Sequence, residues 1–158
     1  TRYGESLELS QQDTLVLLVN ERYKLPENLY IDQDVFQLAS SNMIAPDIRV
    51  YSTDDTTPTL RVQFYTQEEK PVYDNMDFNW NYKNDTLRFD NYIKLAGQWR
   101  AQRVTLSLYL PENKKVLLPP QTSQYLRNLR DFDWGVRSRL NKDKILLIMQ
   151  DGRLQPLM

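Results

Sequence analysis

In residues 104–110, VTLSLYL, apolar and polar side chains alternate without a break. Val104, Leu106, Leu108 and Leu110 fall on one face of an extended chain, and Thr105, Ser107 and Tyr109 fall on the other. A period of two fits a strand with one buried face and does not fit a helix. The same period recurs in 60-LRVQFYT-66, where Leu60, Val62 and Phe64 oppose Arg61, Gln63 and Tyr65. Shorter runs of strand type occupy residues 7–9, 14–19, 35–38, 48–51, 78–82, 87–89, 116–118 and 145–150. Two segments read differently. Residues 121–130 place Tyr125, Leu126 and Leu129 on one helical face, and residues 67–75 suit a short turn. The expectation is an all-β fold of short strands with at most two short helices.

Turn chemistry supports this reading. Asn84 and Asp85 both tolerate turn conformations and lie between two aromatic-rich strand segments, so they predict a hairpin. Asp151-Gly152 after the apolar run 145–149 predicts a second, tight hairpin. In 111-PENK-114, Pro111 fixes its own φ and Asn113 is the best residue after Gly for a left-handed position. This corner is expected to join neighbouring strands.

Composition sets limits on the chemistry. The 158 residues suit one domain spanning 1–158, and 41% hydrophobic residues with ten Tyr, five Phe and three Trp imply a folded core. No apolar run approaches the roughly 18 residues that a membrane helix needs. The chain opens at Thr1 rather than Met, which suits processing or excision from a longer chain. There is no His and no Cys. That excludes Ser-His-Asp triads, Cys-His dyads, His- or Cys-ligated metals, iron-sulfur clusters and disulfides. With four Gly and neither G-x-G-x-x-G nor a Walker pattern, no phosphate-cradling loop is legible.

Charge is divided along the chain. Residues 31–91 carry 11 acidic and 5 basic side chains, a net of −6, whereas residues 92–158 carry 5 and 12, a net of +7. One reading is a basic interaction surface for phosphate or an anionic headgroup, centred on Arg127, Arg130, Arg137, Arg139, Lys142 and Lys144. The other is two faces that neutralise each other within one fold. The polar cluster 73–85 invites a calcium reading, but in the EF-hand register Trp80 stands where Gly is required and Thr86 where a bidentate Glu is needed. Asp54 with Asp55, and Glu68 with Glu69, are adjacent in sequence, so on a strand they point to opposite faces and do not converge as a glycosidase pair. Tyr65, Tyr73, Tyr109, Trp99 and Trp134 are the aromatics that the alternation leaves least clearly buried, and such rings suit either sugar stacking or cross-strand packing.

The succession 86-TLRFDNYI-93 followed by 98-QWRAQRVTLSLYLPENKKVLL-118 resembles the extracytoplasmic C-terminal domain of phage shock protein C-type membrane proteins, which is related to GIN-type adhesin domains. Leu87, Asp90, Asn91, Tyr92, Arg103, Val104, Leu106, Leu110, Pro111, Glu112 and Val116 match its pattern, with Asn113 where Gly is usual. The ending 145-ILLIMQDGRL-154 also resembles the family's closing element. The resemblance implies stacked, solenoid-like (β-helix-like) strands. Residues 13–54 align with no repeat, so a β-sandwich of short strands is the alternative. It marks Asp90, Asn91, Tyr92, Pro111 and Asn113 as structural residues.

The resemblance also implies an extracytoplasmic location, on the periplasmic side of the inner membrane or elsewhere in the cell envelope, with membrane proximity through an anchor outside this chain. The Asp-Thr-Leu triplets at 13–15 and 85–87 are similar to O-glycan acceptor sites of some Gram-negative envelope proteins. The expected function is a non-enzymatic cell-envelope binding, scaffold or stress-sensing module. A glycan-binding or adhesive domain is the second reading and a carboxylate-dependent hydrolase the third. Neither a cofactor, a metal nor a nucleic-acid partner is expected. Arg127, Arg130, Arg137, Arg139, Trp99 and Trp134 are the candidate interaction residues for a protein or envelope glycan, and an edge strand or the opposite charges are expected to support homo-oligomers.

Overall fold

The computed structural model describes residues 2–11, 14–22, 35–38, 41–66, 76–95, 102–119, 122 and 144–157. Among them the fold is all-β. Its strands are β1 (Arg2–Glu8), β2 (Leu15–Asn20), β3 (Val35–Leu38), β4 (Ser41–Ile44), β5 (Asp47–Thr53), β6 (Thr59–Tyr65) and β7 (Met76–Asp77). They continue with β8 (Trp80–Lys83), β9 (Thr86–Asp90), β10 (Ile93–Leu95), β11 (Arg103–Pro111), β12 (Lys115–Leu118), β13 (Ile145–Gln150) and β14 (Arg153–Pro156). The strands form three open sheets: a first in the order β1-β6-β11-β5, a second in the order β3-β4-β10-β7, and a third in the order β14-β13-β12-β2-β9-β8. The chain moves repeatedly from one sheet to the next, and strands from distant passes stack side by side. β5 pairs with β11, β2 with β9, and β12 with β2, all in parallel, as in a solenoid-like fold.

One core lies among the three sheets. β11 supplies Val104, Leu106, Leu108 and Leu110, each 0% exposed, and its neighbours supply Leu60, Val62, Ile48 and Val50. The second sheet adds Ile44, Met76, Ile93 and Leu95, and the third adds Leu15, Leu17, Val19, Leu87, Phe89, Val116, Leu118, Leu147 and Met149. Alternation therefore acts in all three sheets. In β2, Leu15, Leu17 and Val19 point inward while Val16 and Leu18 remain half-buried.

The tight turns obey their residue chemistry. Asn84 and Asp85 have φ of 53° and 59° and close the β8–β9 hairpin, where Lys83 faces Thr86. Asp151 and Gly152 have φ of 55° and 80° and close the β13–β14 hairpin, where Gln150 faces Arg153. Both turns have positive φ at the two central residues, the form whose twist suits a two-residue hairpin. Asn113 is left-handed as expected, with φ of 73°.

The corner at Asn113 nevertheless does something other than the expected joining of neighbours. β11 belongs to the first sheet and β12 to the third, so the two strands are not paired. The Lys114 N–H donates to the Pro111 carbonyl at 3.1 Å, which closes the turn. The Asn113 N–H then donates to Met149 O at 2.8 Å, and the Met149 N–H donates to Lys114 O at 2.9 Å. The corner thus finds its backbone partners on β13. Buried Lys114 extends its Nζ to the Ser10 carbonyl at 2.6 Å, tying this corner to the link between β1 and β2.

Other boundaries also differ from the sequence reading. The strand expected over 78–82 begins only at Trp80, as β8, because Phe78 and Asn79 carry the chain from β7 in the second sheet to the third. Burial still alternates there: Met76 and Phe78 are buried and Asn79 is exposed. The strand expected at 7–9 is β1, which lies at the edge of the first sheet, so its Leu7 remains 37% exposed. β4, β7 and β10 are strands that the sequence did not announce, and β14 was announced only as the return arm of the Asp151-Gly152 hairpin. The expected helix at 121–130 lies outside the described residues except for Thr122, and the expected turn at 67–75 lies wholly outside them.

Thr122 completes the third sheet without belonging to a strand. β12 pairs with β2 only at Val116–Leu15 and Leu117–Val16. Beyond Leu118 the sequence is Pro119-Pro120, and proline cannot donate to a ladder. The Thr122 hydroxyl takes over, donating to Leu17 O at 2.6 Å and accepting from the Val19 N–H at 3.0 Å, with the residue 0% exposed.

Two stability measurements check these local assignments. By chemical denaturation Asn113→Gly should be neutral or slightly stabilising, and Asn113→Val should cost about 1–2 kcal/mol, because a β-branched side chain lacks asparagine's tolerance of the left-handed region. Equal stability of the two variants would contradict the corner. Thr122→Val keeps the shape but orphans two backbone groups of β2, so it should cost about 1–3 kcal/mol, whereas Thr122→Ser should recover most of that loss.

Candidate functional site

The alternation that sends four aliphatic side chains of β11 into the core sends Arg103, Thr105, Ser107 and Tyr109 to the outer face of the first sheet. Register determines what stands beside them. Arg103 faces Tyr65, Thr105 faces Gln63, Ser107 faces Arg61 on β6 and Arg49 on β5, and Tyr109 faces Thr59 and Tyr51. Thr105 and Ser107 are short, so the middle of the face is low and the longer side chains around it form walls. The result is an open groove of about 230 Å³ lined by Arg49, Tyr51, Gln63, Tyr65, Arg103, Thr105, Ser107 and Tyr109.

Its two ends are built from rings. The Tyr51 and Tyr109 rings are stacked, with centroids 5.3 Å apart and planes 22° apart, and Tyr51 is 37% exposed. At the other end the Arg103 guanidinium lies 4.7 Å from the centre of the Tyr65 ring, within cation–π range. Arg49 donates from Nε to the Asp47 carboxylate at 2.8 Å. Its hydrogen bond to Tyr51 and the charge of Asp47 hold its guanidinium above the ordinary arginine range, so it stays cationic. None of the eight lining residues is acidic.

A second polar cluster has a structural role. Asp90, Asn91 and Tyr92 are all buried and form the corner where β9 leaves the third sheet for β10 in the second. The Asp90 carboxylate accepts from the Asn79 N–H at 2.8 Å and from Arg22 at 3.0 Å, and the Asp90 N–H donates to Asn79 O at 3.0 Å. The Asn91 N–H donates to Asn20 O at 3.0 Å. Arg22 also grips Asp77 through two bonds of 2.8 Å. The buried carboxylate is therefore satisfied on several sides, as a charge out of water must be.

The other candidates separate. Arg127, Arg130, Arg137, Arg139, Trp99 and Trp134 lie outside the described residues, as do Lys142, Tyr73, Glu68 and Glu69. Pro111 and Asn113 form the corner already described. In the polar stretch 76–85, Asp77 is engaged with Arg22 and Asp85 accepts from the Tyr82 hydroxyl at 3.3 Å. No group of three or more acidic residues capable of holding a metal occurs among the described residues. Asp54 and Asp55 are exposed in the link between β5 and β6. Of the aromatics left open by the sequence, Tyr65 and Tyr109 line opposite ends of the groove. Arg49, Tyr51, Gln63, Thr105 and Ser107 join them without having been singled out. The signal for them was the polar half of three alternating strands, which becomes a site only once those strands are known to be neighbours.

The sequence matches the family model described as a Toast-rack domain found in some PspC proteins, at their C-terminus, over residues 30–155. The match covers more than half of the 158 residues, and the chain belongs to this family. The PspC C-terminal domain is generally an extracytoplasmic part of a membrane protein, and the family is not a known enzyme family. No curated protein and no solved structure matches the chain.

If the groove is a surface feature rather than a prop for the fold, its charged walls are dispensable for stability. Arg49→Gln and Arg103→Gln should each change the unfolding free energy by less than about 1 kcal/mol, as expected for half-exposed side chains. Leu106→Ala on the opposite face of the same strand should cost about 2–5 kcal/mol. A loss above about 2 kcal/mol from either arginine variant would assign that arginine to the fold.

Proposed function

We propose that this Toast-rack domain is a non-enzymatic binding module of the cell envelope, carried outside the cytoplasm by a PspC-type membrane protein, and that the outer face of its first sheet is its contact surface. The single observation that carries the surface assignment is the groove. Eight polar or aromatic side chains from three adjacent strands converge there, although the sheet's stability comes from its other face. The location is supported by family membership. A scaffold or stress-sensing role is compatible with the same arrangement, with ligand occupancy of the groove as the quantity sensed.

The test uses the full-length gene product in its native host. A photo-crosslinking residue at Thr105, on the floor of the groove, should capture an envelope component. The same residue at Arg88, exposed on β9 in the third sheet, should capture far less. Protease added from the periplasmic side should reach the domain. Equal capture at both positions would remove the surface assignment, and protection of the domain inside the cytoplasm would remove the location.

A further inference from the structure

Resting on the reading of this face as the binding surface, we propose that the groove takes a saccharide chain bearing carboxylate groups. Its cationic walls, Arg49 and Arg103, carry no acidic counterpart within the lining, so the groove complements an anion. Asp47 stands outside the lining and takes only the Nε–H of Arg49. Arginine has five N–H donors in a planar fork, so after Asp47 and Tyr51 part of that fork remains for a ligand. Arg103 spends the face of its guanidinium on Tyr65, which leaves the in-plane N–H edge suited to a carboxylate.

The spacing of the two arginine positions favours an extended anion over a single small one. Arg103 lies four residues along β11 from Ser107, the position that Arg49 faces across the sheet. At the rise of a strand this is about 13 Å. The two arginines therefore start from well-separated backbone positions, an arrangement suited to a chain with repeated charges.

Between the cations lie the groups that recognise sugars. The Thr105 and Ser107 hydroxyls and the Gln63 amide both donate and accept hydrogen bonds, as hydroxyl-rich ligands require. The Tyr51–Tyr109 stack gives a flat apolar surface with polar edges against which a sugar ring can lie. A peptide is served less well. The groove lies on the face of β11, whose backbone is already paired with β5 on one side and β6 on the other, so strand addition is not offered. The lining also has no aliphatic pocket to seat an anchor side chain.

The probe is a short oligogalacturonate, compared with its methyl ester, in which each carboxylate is neutral, and with inorganic phosphate. In NMR titrations of the 158-residue chain, the oligogalacturonate should shift the Thr105 and Ser107 amides and bind at least about tenfold more tightly than the ester. Arg49→Gln and Arg103→Gln should each weaken the acidic ligand about tenfold and leave residual ester binding unchanged. Tyr109→Ala should weaken both. Circular dichroism confirms that each variant is folded. Equal binding of acid and ester, displacement of the acid by an equal concentration of phosphate charge, or no saccharide binding would each overturn the proposal. If no saccharide binds while Thr105 still crosslinks a protein in the envelope, the ligand class falls and the contact surface stands. If oligogalacturonate binds but the domain is cytoplasmic, the ligand class stands and the envelope role falls.

Discussion

The groove on the first sheet depends on the inward row of β11. Val104, Leu106, Leu108 and Leu110 are fully buried between two flanking strands. Burying each such side chain is worth about 1.5–3 kcal/mol, so together they contribute roughly 6–12 kcal/mol, comparable to the whole net stability of a domain. A slip of one residue would expose all four and bury Arg103, Thr105, Ser107 and Tyr109 in their place. The core therefore fixes the register, and the register fixes the groove. Outer-face residues contribute little to folding yet are positioned with the accuracy of the core behind them.

The remaining difficulty for such a fold is turning corners. Each passage between sheets interrupts a ladder and leaves backbone groups without strand partners. Here polar side chains and displaced backbone take the vacant places. The Asp90 carboxylate takes the Asn79 N–H, the Thr122 hydroxyl takes two groups of β2, and Asn113 finds a carbonyl on β13. Among the described residues no buried side-chain polar atom lacks a partner. This explains why Asp90, Asn91 and Thr122 are polar at buried positions where the core would otherwise favour aliphatic residues, whereas exposed Asn113 is suited to its left-handed backbone. Their chemistry is consumed by the fold and none of it is left for a ligand.

What the sequence disclosed follows the range of the interaction concerned. Strand 145–150, the two hairpin turns and the left-handed Asn113 depend on neighbours within a few residues, and all were legible. β10 was not, because Ile93–Leu95 is too short to show a period, and β14 was legible only through its turn, because Arg153–Pro156 is short and ends in a proline. The corner at 111–114 was legible as a turn but not as a change of sheet, since nothing local reveals that β12 lies beside β2 and β13. The groove was least legible. Its residues come from β5, β6 and β11, and β11 lies between two strands that precede it by some forty residues or more. The charge division of the chain misleads for the same reason. Arg49 comes from the acidic stretch and Arg103 from the basic one, and stacking interleaves the two stretches across the sheet.

The size of the groove bears on how a domain of this kind works. About 230 Å³ is below the roughly 300–1,000 Å³ typical of small-molecule sites, and it is open to solvent rather than closed over its ligand. A shallow site of this kind gains little from burial, so it depends on preorganisation: polar groups held on paired strands, with rings already stacked, lose little entropy on binding. Even so, a single contact through it is weak. On the proposed envelope role, many copies fixed on one membrane surface would change that balance. Once one copy holds a repetitive ligand, the next binds it at the high effective concentration that tethering supplies, and weak sites sum to strong attachment. A shallow, rigid, cationic groove is poorly suited to capturing a scarce soluble molecule and well suited to reading an extended polymer from a crowded surface.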